Sequence, residues 1–278
     1  MKTTVLMTLL LATQLSHAAD SDTAQCDRAA DPMHPGNPPG VTGEESTPNY
    51  DEDSAAWDAL RLACENSYAA HPDTPRYAYQ LARLYSARDY NVSAEKYLKT
   101  AAEQGDPVAQ SEYGKILNDQ GFDGTDWQKK AAAQGNAKAR TALGVLYYYG
   151  VGVEEDKEKA GEWFEKAAAQ DDATAQRYLG SVAAKAKDYV QAKQWWAQGA
   201  ANGDALSMRN VGSLYEEGKG VNQDFAEAES WYRKGTKSKK NSATSMTSLA
   251  HLYSEGKGVE KNEKQAVDWL EKACMLDS

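Results

Sequence analysis

Beyond residue 54, apolar side chains recur three and four places apart, the spacing that gives a helix one buried stripe, and no strand is predicted anywhere. The stripe itself repeats. Leu81, Tyr113, Leu143, Leu179, Val211 and Leu249 are each followed by Ala or Gly (Ala82, Gly114, Gly144, Gly180, Gly212, Ala250), at intervals of 32, 30, 36, 32 and 38 residues. Such intervals fit units of two helices each. The second helix of each unit carries an aromatic marker: Tyr97, Trp127, Trp163, Trp195, Trp231 and Trp269. Small-residue motifs follow most markers (TAAEQG, KAAAQG, KAAAQD, QGAANG). They are expected to admit the next unit's first helix at close range, with the closing Gly or Asp ending the helix. The prediction is an all-α chain, a right-handed α/α superhelix (solenoid) of about six helix-pair repeats with a concave side.

Units three, five and six have longer turns between their helices, YGVGVEED, EGKGVNQD and EGKGVEKN. Gly150, Gly218 and Gly256 are expected to take the left-handed conformation there. Asp224 with Glu227, and Asn262 with Gln265, have capping-box spacing. A phosphate-binding reading of these glycines fails, because such loops follow a strand.

Upstream of the repeats the composition changes. Residues 1–18 read as a cleavable export signal: Lys2, a short apolar core from Val5 to Ala12, and small residues ending at Ala18. That core is too short to span a membrane, and no later stretch is apolar enough to do so. Residues 19–53, rich in Pro, Gly, Asp and Ser, read as a flexible arm, 54–73 as a leading helix, and 74–278 as the repeats. An exported, periplasmic or secreted protein meets an oxidising compartment, where Cys26 and Cys64 form the sensible disulfide, tethering the arm to the leading helix. Cys274 falls where other repeats carry Ala and reads as a small buried residue, with a reactive or intermolecular thiol as the alternative.

The third unit, ARTALGVLYYYGVGVEEDKEKAGEWFEKAAAQ, resembles the Sel-one-like repeats, a branch of the tetratricopeptide solenoids, through Ala139, Leu143, Gly144, Tyr147, Gly150, Gly152, Val153, Ala160, Trp163, Lys166, Ala167 and Ala168. Units five and six are similar to it. The first, second and fourth have shorter turns and look more like ordinary tetratricopeptide units. The pieces CDRAADP and LRLACENS resemble the disulfide-closed leader of exported bacterial members. The resemblance implies a periplasmic scaffold, adaptor or regulator. The alternative it offers is a periplasmic immunity protein neutralising a type VI secretion phospholipase effector. A hydrolase such as a beta-lactamase-like enzyme is disfavoured, because those relatives carry a cysteine pair in each repeat.

Helical geometry then nominates a binding face. With Ala139, Ala142, Leu143, Leu146 and Tyr147 buried, Thr141, Val145 and Tyr148 are expected to point outward. Carried through the units, these offsets give two exposed rows: Tyr79, Ser111, Thr141, Arg177, Arg209, Thr247 and Arg83, Lys115, Val145, Ser181, Ser213, His251. Arg83, Lys115, Arg177, Arg209 and His251 face no acid within these rows, although the chain holds 31 basic and 41 acidic residues. The rows, anchored by Tyr79 and Tyr148, are expected to receive an acidic segment of a protein partner. The acidic net charge argues against nucleic acid and anionic membranes. His34, His71 and His251 belong to no metal-ligand pattern, and no nucleophile motif is present. The reading is a monomeric, non-catalytic binder with no cofactor and no metal.

Overall fold

A computed structural model describes residues 21–27, 54–238 and 241–276. The export segment 1–18 and most of the arm therefore lie outside the described residues. Two compact units divide the chain, one ending at Asn136 and the other beginning at Ala137. The first holds α1 (Ser54–Ala70), α2 (Pro75–Ser86), α3 (Asn91–Glu103), α4 (Pro107–Asp119) and α5 (Thr125–Ala133). The second holds α6 (Ala137–Tyr149), α7 (Lys157–Ala168), α8 (Ala173–Lys185), α9 (Tyr189–Ala201), α10 (Ala205–Glu217), α11 (Phe225–Gly235), α12 (Ser242–Glu255) and α13 (Glu263–Cys274). No strand occurs among the described residues. Within each unit a helix packs on the one before and the one after, and α10 also touches α12.

Short polar residues set where the helices begin. Asp106, Asp156, Asp172, Asp188, Asp204, Asp224 and Asn262 each accept hydrogen bonds from first-turn backbone N–H groups, each cap being worth about 1 kcal/mol. The expected capping boxes form only by half. Asp224 accepts from the N–H of Glu227, and Asn262 from that of Gln265. The N–H groups of Asp224 and Asn262 themselves donate to the Tyr215 and Tyr253 carbonyls, 2.9 Å away in the preceding helix. Asp156 and Tyr147 repeat this bond in the third pair. It ties the two helices of a pair together across the long turn. Gly150, Gly218 and Gly256 are left-handed as expected, and so is the second glycine of each turn. In the shorter turns one left-handed residue suffices: Asp89, Gly121 or Lys187.

Close packing within a pair centres on the glycine column. A Cβ on Gly144 would lie 2.5 Å from the Phe164 ring, on Gly180 2.4 Å from Trp196, and on Gly212 2.5 Å from Tyr232. The inserted ring thus belongs to the residue after the aromatic marker. In the first pair the column holds Ala82, and the inserted side chain is Leu98. The markers themselves are half-buried, and Trp127, Trp163, Trp231 and Trp269 each lie under a lysine one turn on, 4.0–4.6 Å from ring centroid to Nζ.

Seams between successive pairs show the same matching of sizes. Ala101 and Ala109 share one core cluster, and Ala167 and Ala175 another. At the two later seams Gly199 meets Ser207 and Gly235 meets Ser245, where an added Cβ would come within 2.6 and 2.2 Å of the serine hydroxyl.

Cys26 and Cys64 are disulfide-bonded, both fully buried with Leu60, Tyr77, Leu81 and Leu84. Contrary to the expectation of an irregular arm, residues 21–27 are helical. Besides the disulfide, they are held by Arg76 on Asp27 at 3.2 Å and by Asn66 donating to Asp22 at 3.0 Å. Cys274 departs from its expected burial and is exposed. Its counterparts Ala102, Ala132, Ala168 and Ala200 are buried, whereas among the described residues no helix follows α13 to cover it.

Candidate partner-binding grooves

The first helices of neighbouring pairs splay enough to leave grooves floored by the second helix between them. In the first unit, α2, α3 and α4 enclose about 580 Å³ over Ala82, Leu98 and Ile116, with Arg83, Glu95 and Glu112 at the rim. In the second, α8, α9 and α10 enclose about 390 Å³ over Ala184, Trp196 and Leu214, with Lys185, Arg209, Glu217 and Lys219 at the rim. The two grooves occupy the same register of the repeat: Leu98 corresponds to Trp196, Ile116 to Leu214, Arg83 to Ser181 and Glu112 to Asn210. One architecture therefore carries opposite charge in two places.

Of the residues expected from sequence to point outward, Tyr79, Ser111 and Thr141 are corrected, all three being buried. Tyr79 is 3% exposed and Thr141 7%. The Tyr79 hydroxyl donates to Glu112 on the next first helix at 3.0 Å, and Thr141 donates to Asp172, the cap of α8, at 3.0 Å. A first helix inside a stack is flanked by its own partner and by the next first helix, so its contact arc is wider than a single stripe. Val145 and Tyr148 are half-buried against the core of α7 and α8. Tyr148 meets Tyr149 edge-on at 4.9 Å, and its hydroxyl accepts from Lys185 at 3.1 Å.

The basic rows are less positive than their composition implies, because carboxylates reach them from other positions. Lys115 pairs with Asp119, Arg177 with Asp204 at 3.4 Å, and His251 with Glu255 at 3.3 Å. Arg83 and Arg209 each line a groove instead. Glu217 forms an ion pair with Lys219. Hydrogen bonds from Lys219 and then Ser213 hold its carboxyl below the usual glutamate range. Lys185, Asn210 and Lys219 escaped the sequence reading, which followed only two rows. Extending the period by one more turn reaches Lys185, and Asn210 adjoins Arg209. Among the described residues no group of three or more His, Cys, Asp or Glu could hold a metal ion, and no helix is long and apolar enough to cross a membrane.

The Sel1 repeat family matches residues 75–106, 137–172, 173–204, 205–238 and 243–278. The first and fourth pairs thus belong with the third, fifth and sixth, rather than standing apart as expected, and the second pair is the one left unmatched. That pair has a nine-residue second helix and places Gln128 where the first, third, fourth and fifth pairs insert an aliphatic or aromatic side chain. Among curated proteins none matches the chain in sequence. Among solved structures, a Sel1 repeat protein from Oxalobacter formigenes is 26% identical, with a TM-score of 0.71, over 78% of this chain and 92% of that one. A protective antigen of uropathogenic Escherichia coli with the SLR fold is 28% identical, with a TM-score of 0.68, over 77% of this chain. The match spans 48% of that antigen's length. An immunity protein from Pseudomonas aeruginosa is 19% identical, with a TM-score of 0.47, over 64% of this chain and 73% of that one. Repeating glycine column, paired helices and matched segments agree: the chain belongs to the Sel1 repeat family.

Proposed function

We propose that this protein is an exported scaffold or adaptor that holds a protein partner in the grooves between its first helices and catalyses nothing itself. Sel1 repeats generally serve as binding scaffolds. The observation that carries the reading is the pair of grooves in one register, each with an apolar floor and a charged rim. An apolar floor supplies contact area, and a charged rim selects among partners. Export rests on the Lys2-to-Ala18 segment and on the buried Cys26–Cys64 disulfide, a bond that persists outside the reducing cytoplasm.

The test is affinity capture of the tagged chain from envelope extract, followed by mass spectrometry, beside a variant carrying Arg83→Glu and Arg209→Glu. A stoichiometric partner lost in the variant supports the reading. Recovery of none, or recovery indifferent to the variant, defeats it. Capture of a phospholipase effector would make the scaffold an immunity protein. N-terminal sequencing of the exported chain, expected to begin at Ala19, checks the leader, and a chain retained in the cytoplasm with its first residues intact would refute export.

A further inference from the structure

The groove between α8 and α10 is the exception in an acidic protein. Three cations, Lys185, Arg209 and Lys219, and one carboxylate, Glu217, are the charged residues that line it. Glu217 takes up Lys219 in an ion pair and also feels Arg209. Lys185 donates to the Tyr148 hydroxyl at 3.1 Å, and Arg209 to the Asn210 amide oxygen at 3.3 Å. Both of those acceptors are neutral, while Glu155 acts on Lys185 at longer range and is itself paired with Lys157. Each cation keeps further N–H donors, and the Asn210 amide keeps its NH2 group. In the corresponding groove of the first unit the Asn210 position is Glu112, and the rim holds one cation and two carboxylates. Beside the first unit's groove, this one carries one carboxylate fewer and two cations more, over a floor of Trp196, Leu214 and Ala184. A weakly polar floor strengthens the attraction between a charge and its counter-charge.

We infer that the α8–α10 groove is a subsite for glutamate side chains of an acidic peptide segment, the methylenes lying on Trp196 and Leu214 and the carboxylate taken by Lys185, Arg209 and Asn210. This rests on the scaffold reading and supplies the chemistry of its partner. A glutamate fits both halves of the groove, since its aliphatic stem is long enough to cover apolar floor while its head reaches the rim.

The probe is fluorescein-labelled hexaglutamate, titrated with the purified full chain and followed by fluorescence anisotropy. Hexaglutamine and a thymidine oligonucleotide of equal charge serve as comparisons. Hexaglutamate is expected to bind with an affinity that falls as salt rises, and hexaglutamine to bind far more weakly. Lys185→Gln with Arg209→Gln should weaken hexaglutamate by about tenfold or more, while Lys264→Gln, on the exposed face of α13 and outside both grooves, should stay within about twofold. Ser181→Asp, which sets a carboxylate at the rim, should produce the same loss and covers the case of a misfolded double variant. Equal binding of the two peptides, equal binding of the oligonucleotide, or an unchanged double variant would overturn the inference. If the double variant still captured the native partner, this subsite would fall and the scaffold reading stand. Hexaglutamate binding with no native partner recovered would leave the subsite and remove the scaffold.

Discussion

Gly212 and Tyr232 show how tightly one residue fixes another in this chain. The ring edge lies where a Cβ would go, so Gly212→Ala must push Tyr232 aside even though alanine favours a helix by itself. A net loss of about 1–3 kcal/mol is expected in urea unfolding. Adding Tyr232→Leu recreates the Ala82 and Leu98 combination of the first pair and should restore part of that loss, with a coupling of about 0.5–3 kcal/mol. Purely additive costs would show that the two positions do not read each other. Asp172 joins two roles, capping Ala175 and accepting from Thr141. Asp172→Ala should cost about 1–2 kcal/mol, and Thr141→Val in that background should add little further. The glycine column was plain in the sequence, but its partners were hidden, because Leu98, Gln128, Phe164, Trp196 and Tyr232 share no residue type. The eye settles instead on the repeated tryptophans beside them, whose rings are only half-buried.

At the level of helices and turns, the sequence was most legible where geometry demands one residue type. Every long turn announced itself by two glycines, and both proved left-handed. The short turns hid the same requirement behind Asp89 and Lys187. Lysine gains nothing from that conformation, so Lys187→Gly should raise the urea midpoint by about 0.5–1 kcal/mol in stability terms. No gain would indicate that the turn is held by contacts other than its backbone preference. The helical turn at 21–27 was illegible, since its order comes from contacts distant in sequence. The disulfide spans a sequence separation of 38, for which loop entropy gives about 4 kcal/mol. Replacing both Cys26 and Cys64 by Ala should remove that order. The loss of hydrogen-exchange protection should be confined to 21–27, α1 and α2, leaving α10 to α13 unchanged, because each helix pair leans only on the adjoining pairs.

For the molecule as a whole, alkali is a sharper probe than acid. Burial first, and then the hydrogen bond to Glu65, push Tyr85 up to about 12 from 10.0. Burial and Glu216 raise Tyr232 as well. Between 10.0 and about 12 the unfolded chain gives up these protons while the folded one keeps them, so stability is full below the lower value and declines as pH rises toward the upper. Phenolate absorbance should therefore show part of the tyrosines titrating only together with unfolding; a single smooth titration of all of them would contradict this. Sequence conveyed less of the grooves than of the fold. Their floors follow the helical period, but their charge depends on carboxylates that arrive from other helices, as Glu95 of α3 and Glu112 of α4 do beside Arg83 of α2. The graded seams have a last consequence, for how such an array could lengthen. A tandem copy of α6–α7 would set Ala167 on another Ala139, and a copy of α10–α11 would set Gly235 on another Ser207, so both would join without loss. A copy of α8–α9 would set Gly199 on another Ala175 and leave a gap the size of the missing hydroxyl. By that logic the fourth pair is an adaptor between two dialects of the repeat, and insertions in descendants of this chain should fall on either side of it.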